Sequence, residues 1–208
     1  MQVSGIILIA GSSTRYNKGI NKNFELLNNI PVFIYSIKVM KKVKEIKEII
    51  LVIRKEEEQL VKDYLSNEHI RNIKLVYGGS SRKESVYNAL LESNNDIVII
   101  HDGARPLIKE SFIKECIKNI NDYNGVVIGV PVKDTIKIIN DNNEVIESTN
   151  RKYTWISQTP QCFKKDVLLE IHKKYQNDDT ITDDSILLEK ENIKVKMIRG
   201  SYTNIKLK

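Results

Sequence analysis

The chain alternates short β-branched apolar runs with amphipathic stretches, and that alternation is the strongest constraint on its fold. Val3–Ile9, Glu48–Ile53, Ile73–Tyr77, Asp96–His101 and Gly125–Pro131 have the length and composition of strands. Between them lie helical patterns at about Pro31–Lys42, Glu56–Asn67, Lys83–Glu92 and Lys109–Asn121. Strands interleaved with helices in this way predict βαβ units and a mostly parallel sheet. Pro31 suits a first helical position, and Lys109 or Ser111 opens the fourth helix after the Pro106 break. After Pro131 the rhythm changes. Thr135–Ile139, the polar turn Asn140–Asn143 and Glu144–Ser148 predict a hairpin, which is either an oligomerisation arm (about 134–156) or an ordinary surface hairpin. Helical pattern returns at Lys164–Tyr175 and Asp183–Glu189, followed by a strand at Lys194–Ile198. With no repeat, linker or second apolar core, residues 1–208 are expected to form one domain.

Composition narrows the function classes. A chain of 208 residues can bury roughly 70% of its unfolded surface in a single core. Its 41% hydrophobic and 29% charged residues exclude wholesale disorder and collagen-like repeats. No apolar run reaches the ~18 residues of a membrane span, and the start MQVSGIILIAGSS has no basic region before its apolar run. A cytoplasmic protein without a membrane partner is expected. The net charge of +6 permits a nucleic-acid partner, but the lysines are interleaved with acids in KEEEQLVKDY and KKVKEIKE, the pattern of solvated helix faces. An acidic small molecule is the better expectation, with no nucleic acid. Cys116 and Cys162 lack metal-ligand spacing and are expected reduced and packed.

In an open parallel sheet, ligands bind beyond the carboxyl ends of the strands, so the residues after each strand are the ones to question. The first strand runs into AGSSTRY (Ala10–Tyr16), with Lys22 shortly after. Small residues let backbone N–H groups approach a polyphosphate, and Arg15 and Lys22 add positive charge. Neither common phosphate-loop fingerprint is present, and a plain strand-to-helix turn explains the run equally well. GGSSRKES (Gly78–Ser85) offers close backbone approach and neutral donors suited to the edge of a base. It is also a helix start, with Ser80 or Ser81 as N-cap and Glu84 completing a capping box. HDGARP (His101–Pro106) puts one hard oxygen ligand and one cation at the crevice. Asp102 is a candidate Mg²⁺ ligand and Arg105 a candidate phosphate clamp, or the two form a structural pair. His101 is expected to be hydrogen-bonded support, Trp155 a core or hairpin anchor, and Thr182 with Asp183 and Asp184 a helix N-cap.

Taken in order, AGSSTRY with Lys22, GGSSRKESV, HDGARP, VPVKDTIK, R-x-x-x-W-x-x-QTPQ-x-F, TDD and G-x-x-x-NIK resemble the 2-C-methyl-D-erythritol 4-phosphate cytidylyltransferases, from about residue 3 to 207. The resemblance implies cytidylyl transfer from CTP to methylerythritol phosphate with Mg²⁺ as cofactor. It also implies a Rossmann-like α/β fold with helices on both faces, and a homodimer formed through the protruding hairpin arm, which completes the partner's acceptor pocket. Carried over by matching motif, Arg15, Lys22 and Lys206 would act on the triphosphate. Ala10, Gly11, Gly79 and Ser85 would hold cytidine, and Asp102 would sit beside nucleotide and metal. Arg105, Thr135, Arg151, Thr159 and Thr182 would surround methylerythritol phosphate.

The family's first loop usually reads A-A-G-x-G-x-R, and here Ile9 and Ser13 replace the first alanine and second glycine. Asn21 stands where a proline usually precedes the loop lysine, which is expected to loosen the approach of Lys22. The chain stops at Lys208, just past NIK, where relatives usually continue into a last helix. Two other readings stay open: a ribitol 5-phosphate cytidylyltransferase, which resembles the chain in its first loop, QTPQ and closing lysine block, and a CTP-binding module that has lost catalysis. A dinucleotide-dependent dehydrogenase is disfavoured by the absent G-x-G-x-x-G.

Overall fold

The structure, a computed structural model, describes residues 1–11, 21–176, 178 and 181–207. Its strands are β1 (Val3–Leu8), β2 (Leu26–Leu27), β3 (Ile30–Pro31), β4 (Ile46–Ile53), β5 (Lys74–Tyr77), β6 (Ile97–Asp102), β7 (Gly125–Pro131), β8 (Lys137–Ile139), β9 (Val145–Ser148), β10 (Trp155–Lys164) and β11 (Val195–Arg199). The helices are α1 (Val32–Met40), α2 (Glu58–Asn67), α3 (Arg82–Glu92), α4 (Glu110–Asn119), α5 (Lys165–Lys174) and α6 (Asp184–Lys190). Seven strands form one twisted sheet in the order β11-β7-β10-β6-β1-β4-β5, parallel except for β10.

Alternation along the buried strands divides the core between two faces. Ile7, Leu51, Ile53, Ile99 and Ile128 pack on one side with Phe33 and Ile37 of α1, Val61 of α2 and Ile113 of α4. Ile6, Ile50, Val52, Val98 and Val127 face the other way, onto Val86 and Leu90 of α3, Leu168 of α5 and Leu188 of α6. The result is an α/β fold of Rossmann-like architecture, as the sequence implied. From β1 the chain moves outward to β4 and β5, then crosses to β6 on the opposite side of β1. That reversal opens a crevice at the carboxyl ends of β1 and β6, where such sheets bind ligands.

Two local expectations are corrected, and one strand went unread. Pro31 is the residue before α1 and closes the small β2–β3 pair, so the helix starts at Val32. The N-cap of α6 is Asp183, whose carboxylate accepts from the Ser185 N–H, while Thr182 is exposed just before it. The strand β10 was not legible. Its WISQTPQCFK run carries five polar residues and a proline, yet it lies between β6 and β7. Pro160 is tolerated because the β10–β7 register shifts between Gln158 and Gln161, where the ladder needs no donor from it.

The hairpin β8–β9 is a separate two-stranded sheet. Asn140 shapes its turn, since its Oδ1 accepts from the N–H groups of Asn142 and Glu144, and Asn143 takes φ 63°. The arm leaves the sheet after Pro131 and returns at Trp155, which pairs with Pro131. Because β7 is parallel to β1 and β6, it projects from the same carboxyl edge as the crevice. Ile138, Ile139, Val145 and Ile146 are all exposed, Ile146 at 65%.

Candidate active site

Asp102, the last residue of β6, is the centre of the cluster. Lys206 Nζ donates to its Oδ2 at 2.7 Å, Arg105 Nε lies 3.8 Å from the same oxygen, and Arg82 Nε lies 3.7 Å from Oδ1. Burial would raise the Asp102 carboxyl, but Arg82, Lys206 and Arg105 outweigh it and hold the group far below the usual carboxylate range. Asp102 is therefore a permanent anion held among three cations.

A polar frame behind Asp102 holds it there. The Asp102 N–H donates to Thr159 Oγ1 at 3.1 Å. His101 is fully buried, and burial pushes its pKa down to about 4, so its ring is neutral at physiological pH. Its Nε2 lies 3.2 Å from the Arg105 carbonyl, which can only accept, so Nε2 carries the hydrogen and Nδ1 accepts from the Thr159 hydroxyl at 2.9 Å. With both nitrogens engaged, His101 is the support that the sequence suggested.

The segment after β11 closes over this frame. Gln158 Nε2 donates to the Ser201 carbonyl (2.9 Å), and Asn204 Nδ2 donates to the Thr159 carbonyl (2.9 Å). Arg105 Nη1 donates to the Asn204 carbonyl at 2.7 Å, and the Leu207 N–H donates to the Ala104 carbonyl at 3.0 Å. The Arg105 side chain is only 11% exposed, so it braces this segment as well as facing Asp102. The bracing brings Lys206, over a hundred residues away in sequence, onto Asp102.

Across the crevice, Gly78 lies so close to the end of β1 that a side chain there would meet Ala10 Cβ at 2.6 Å. The Gly79 N–H donates to Ser85 Oγ (3.1 Å), which in turn donates to the Ser81 carbonyl (2.9 Å). Ser81 caps α3 by accepting from the Glu84 N–H, while Glu84 Oε2 accepts from the Ser80 N–H and hydroxyl. The glycine-serine run is thus both a helix start and a wall of the crevice.

The structure gathers Asp102, Arg105, Thr159 and Lys206 into one cluster and sets Ala10, Gly79 and Ser85 together, with Gly11 exposed at the end of β1. Thr135 and Arg151 pair with each other on the arm, Arg151 Nη2 donating to Thr135 Oγ1 at 3.1 Å. Lys22 opens a short 3-10 turn, Lys22–Phe24. Arg15 lies outside the described residues.

Sequence reasoning missed Arg82. At the first position of α3, its Nη1 lies 2.7 Å from Asp184 Oδ2 while its Nε faces Asp102, so it bridges the starts of α6 and the crevice. His172, buried on α5, approaches Asp184 Oδ1 at 3.4 Å from behind. The signal was present: an arginine directly after an N-cap serine, on a helix whose start faces the ligand edge.

The profile of the 2-C-methyl-D-erythritol 4-phosphate cytidylyltransferases matches residues 3–208. The chain belongs to that family. A cytidylyltransferase of this name from Caldanaerobacter subterraneus subsp. tengcongensis is 41% identical over 212 residues, covering 100% of this chain and 93% of the relative. One from Clostridioides difficile is 43% identical over 208 residues, covering 98% and 87%. Among solved structures, the 4-diphosphocytidyl-2C-methyl-D-erythritol synthase from Anaerococcus prevotii superposes with a TM-score of 0.88 at 35% identity, covering 99% of this chain and 92% of that one. Membership places the chain among the nucleotidyltransferases, and the dehydrogenase alternative falls away.

Proposed function

We propose that the chain transfers the cytidylyl group of CTP to 2-C-methyl-D-erythritol 4-phosphate, releasing pyrophosphate and forming CDP-methylerythritol, as a cytoplasmic enzyme folded as one domain over residues 1–208. The observation that carries the reading is the ionised Asp102 among Lys206, Arg105 and Arg82, at the point where the sheet reverses its strand order. In the reaction, an acceptor phosphate oxygen forms a bond to the α-phosphorus of CTP as the bond to the bridging oxygen of pyrophosphate breaks. The attacking oxygen is already ionised near neutral pH, so no general base is required, consistent with a neutral and fully engaged His101. What the reaction requires is the alignment of two mutually repelling polyanions and positive charge at the α-phosphate.

Ala10, Gly11, Gly79 and Ser85 would hold the cytidine, and Arg15, Lys22 and Lys206 the phosphates. Arg105, Thr159 and Thr182 would face the acceptor. Asp102 fits a Mg²⁺ that arrives with the triphosphate: its carboxylate is ionised, and Oδ1 stands 3.7 Å from Arg82, outside hydrogen-bond range. Among the described residues no cluster of three or more His, Cys, Asp or Glu side chains could hold a metal, so substrate oxygens would complete the shell. The ion would supply charge neutralisation at the phosphates. The exposed apolar arm supports a homodimer in which Thr135 and Arg151 complete the acceptor pocket of the partner subunit.

Pyrophosphate release from CTP and Mg²⁺ tests this directly. Release is expected only when methylerythritol phosphate is added. Equal or faster release with ribitol 5-phosphate would reassign the acceptor, and CTP binding without release under either condition would identify a module that has lost catalysis.

A further inference from the structure

Three residues outside the cluster join the two ends of the first loop. Arg54, directly after β4, donates from Nε to the Ala10 carbonyl at 3.1 Å and from Nη2 to the Gly11 carbonyl at 2.6 Å. Its Nη1 lies 3.8 Å from Glu57 Oε1. On the other side, Asn21 Nδ2 donates to the Ile9 carbonyl at 2.8 Å and to both Glu57 carboxylate oxygens at 3.1 Å. Asn21 Oδ1 accepts from the Asn23 N–H at 3.1 Å and so caps the turn that begins with Lys22. One carboxylate thereby fastens the exit of β1 and the approach to Lys22. Asn21 is buried, the opposite of the loosening expected where the family has a proline.

The geometry has a direct consequence for a ligand. The C=O of one residue and the N–H of the next point in opposite directions across a trans peptide. Arg54's hold on the Ala10 carbonyl therefore turns the Gly11 N–H away from the guanidinium. Holding carbonyls back in this way is how a strand end presents amide hydrogens to an anion or a base. A surface ion pair at the start of α2 would need only Arg54 and Glu57. It would not need two carbonyls from the segment beyond β1, or an asparagine that bonds Ile9 and Glu57 with the same amide.

We propose that Arg54, Glu57 and Asn21 are positioning residues that act as one unit, fixing the Ala10–Gly11 backbone relative to Lys22 so that this edge of the crevice receives a nucleoside triphosphate. The inference rests on the proposed function only in taking this crevice as the nucleotide site. Burial raises the Glu57 carboxyl above its ordinary value, and the bonds from Asn21 and the nearby Arg54 guanidinium hold back part of that rise.

The test is calorimetric titration of CTP with Mg²⁺ into the full chain and its Arg54→Ala, Arg54→Lys and Asn21→Ala variants, alongside steady-state kinetics and melting temperatures. Loss of hydrogen bonds from a charged donor is expected to weaken CTP binding roughly ten- to hundredfold in Arg54→Ala. KM for methylerythritol phosphate should stay within about twofold, since the clamp touches only the nucleotide side. Arg54→Lys should give an intermediate loss, and millimolar guanidinium should restore part of the Arg54→Ala affinity. Because both arms of the clamp meet at Glu57, the Arg54→Ala/Asn21→Ala double variant should lose less than the product of the single losses. Unchanged CTP affinity in folded Arg54→Ala and Asn21→Ala, or equal damage to both substrates, would overturn the inference. A parent chain that binds CTP but never releases pyrophosphate sinks the proposed reaction and leaves the clamp readable in the titration. A parent that binds no CTP overturns both.

Discussion

His101 is a titratable side chain built into the scaffold of the crevice, and its behaviour can be worked out from its surroundings. Burial holds it neutral, with its pKa down at about 4, against about 6.5 in an unfolded chain. Between those values the unfolded chain takes up a proton that the folded one refuses. The stability His101 contributes is thus complete above pH 6.5 and falls as the pH drops toward 4, by on the order of 3 kcal/mol. Glu57, raised by burial, works in the opposite sense, while Asp102 and Asp184, both lowered despite their burial, keep their contributions until the pH falls below the ordinary carboxylate range. Urea unfolding of wild type and His101→Gln from pH 7 to 4 separates these effects. The gap between the two should narrow as the pH falls, and a constant gap would show that the ring is not the group responsible. Cys116 and Cys162 match their reading as packed thiols: both are free and buried, and burial pushes Cys116 up to about 12.

Among the elements, α3 joins local capping to the site. Replacing Ser81 by Ala removes the acceptor for the Glu84 N–H and should cost about 1 kcal/mol in urea unfolding. The same change should weaken CTP binding, because Gly79, Ser85 and Arg82 are set by that first turn; a stability loss with unchanged CTP affinity would uncouple the cap from the crevice. The parallel strands and their helices were legible because apolar periodicity is a local signal. β10 was not, because its identity comes from its neighbours. Gln158 and Gln161 are buried, and their amides are met by Ser201 and by Asp183, partners that no sequence window contains. Arg82 and Arg54 were missed for a related reason: a charged residue at a strand or helix end looks solvated until the fold reveals which carbonyls or carboxylates it faces. Asp102, Lys206 and Thr159 were named from motif order, and long-range bonds bring them into one cluster.

At the scale of the whole molecule, the exposed arm sets the expectation for assembly. Ile138→Glu with Ile146→Glu should leave the sheet folded and shift the chain from dimer to monomer in sedimentation, with loss of turnover; a variant that remains dimeric would place the interface elsewhere. The proposed sharing of each site between two subunits makes a sharper prediction. Lys22→Ala and Arg151→Ala should each be nearly inactive alone, since one empties the nucleotide side and the other the acceptor side. Mixed and allowed to exchange subunits, they should recover about a quarter of wild-type activity, because half the dimers are hybrids with one intact site each. No recovery above the single variants would mean that each subunit completes its own pocket.

The position of β10 also bears on the order in which the chain can fold. β6, β1, β4 and β5 are adjacent in the sheet and all emerge within the first half of synthesis. β7 follows soon after, but the strands that flank it, β10 and β11, lie beyond the arm. Until they arrive, the ribosome displays a nascent four-stranded half with β6 as an open edge, and a fifth strand with nothing to pair with. Non-local closure of this kind is slow and leaves strand edges exposed to wrong partners. The insertion that joins the two halves also brings Thr159 against Asp102 and His101, so the candidate crevice is among the last parts of the protein to exist.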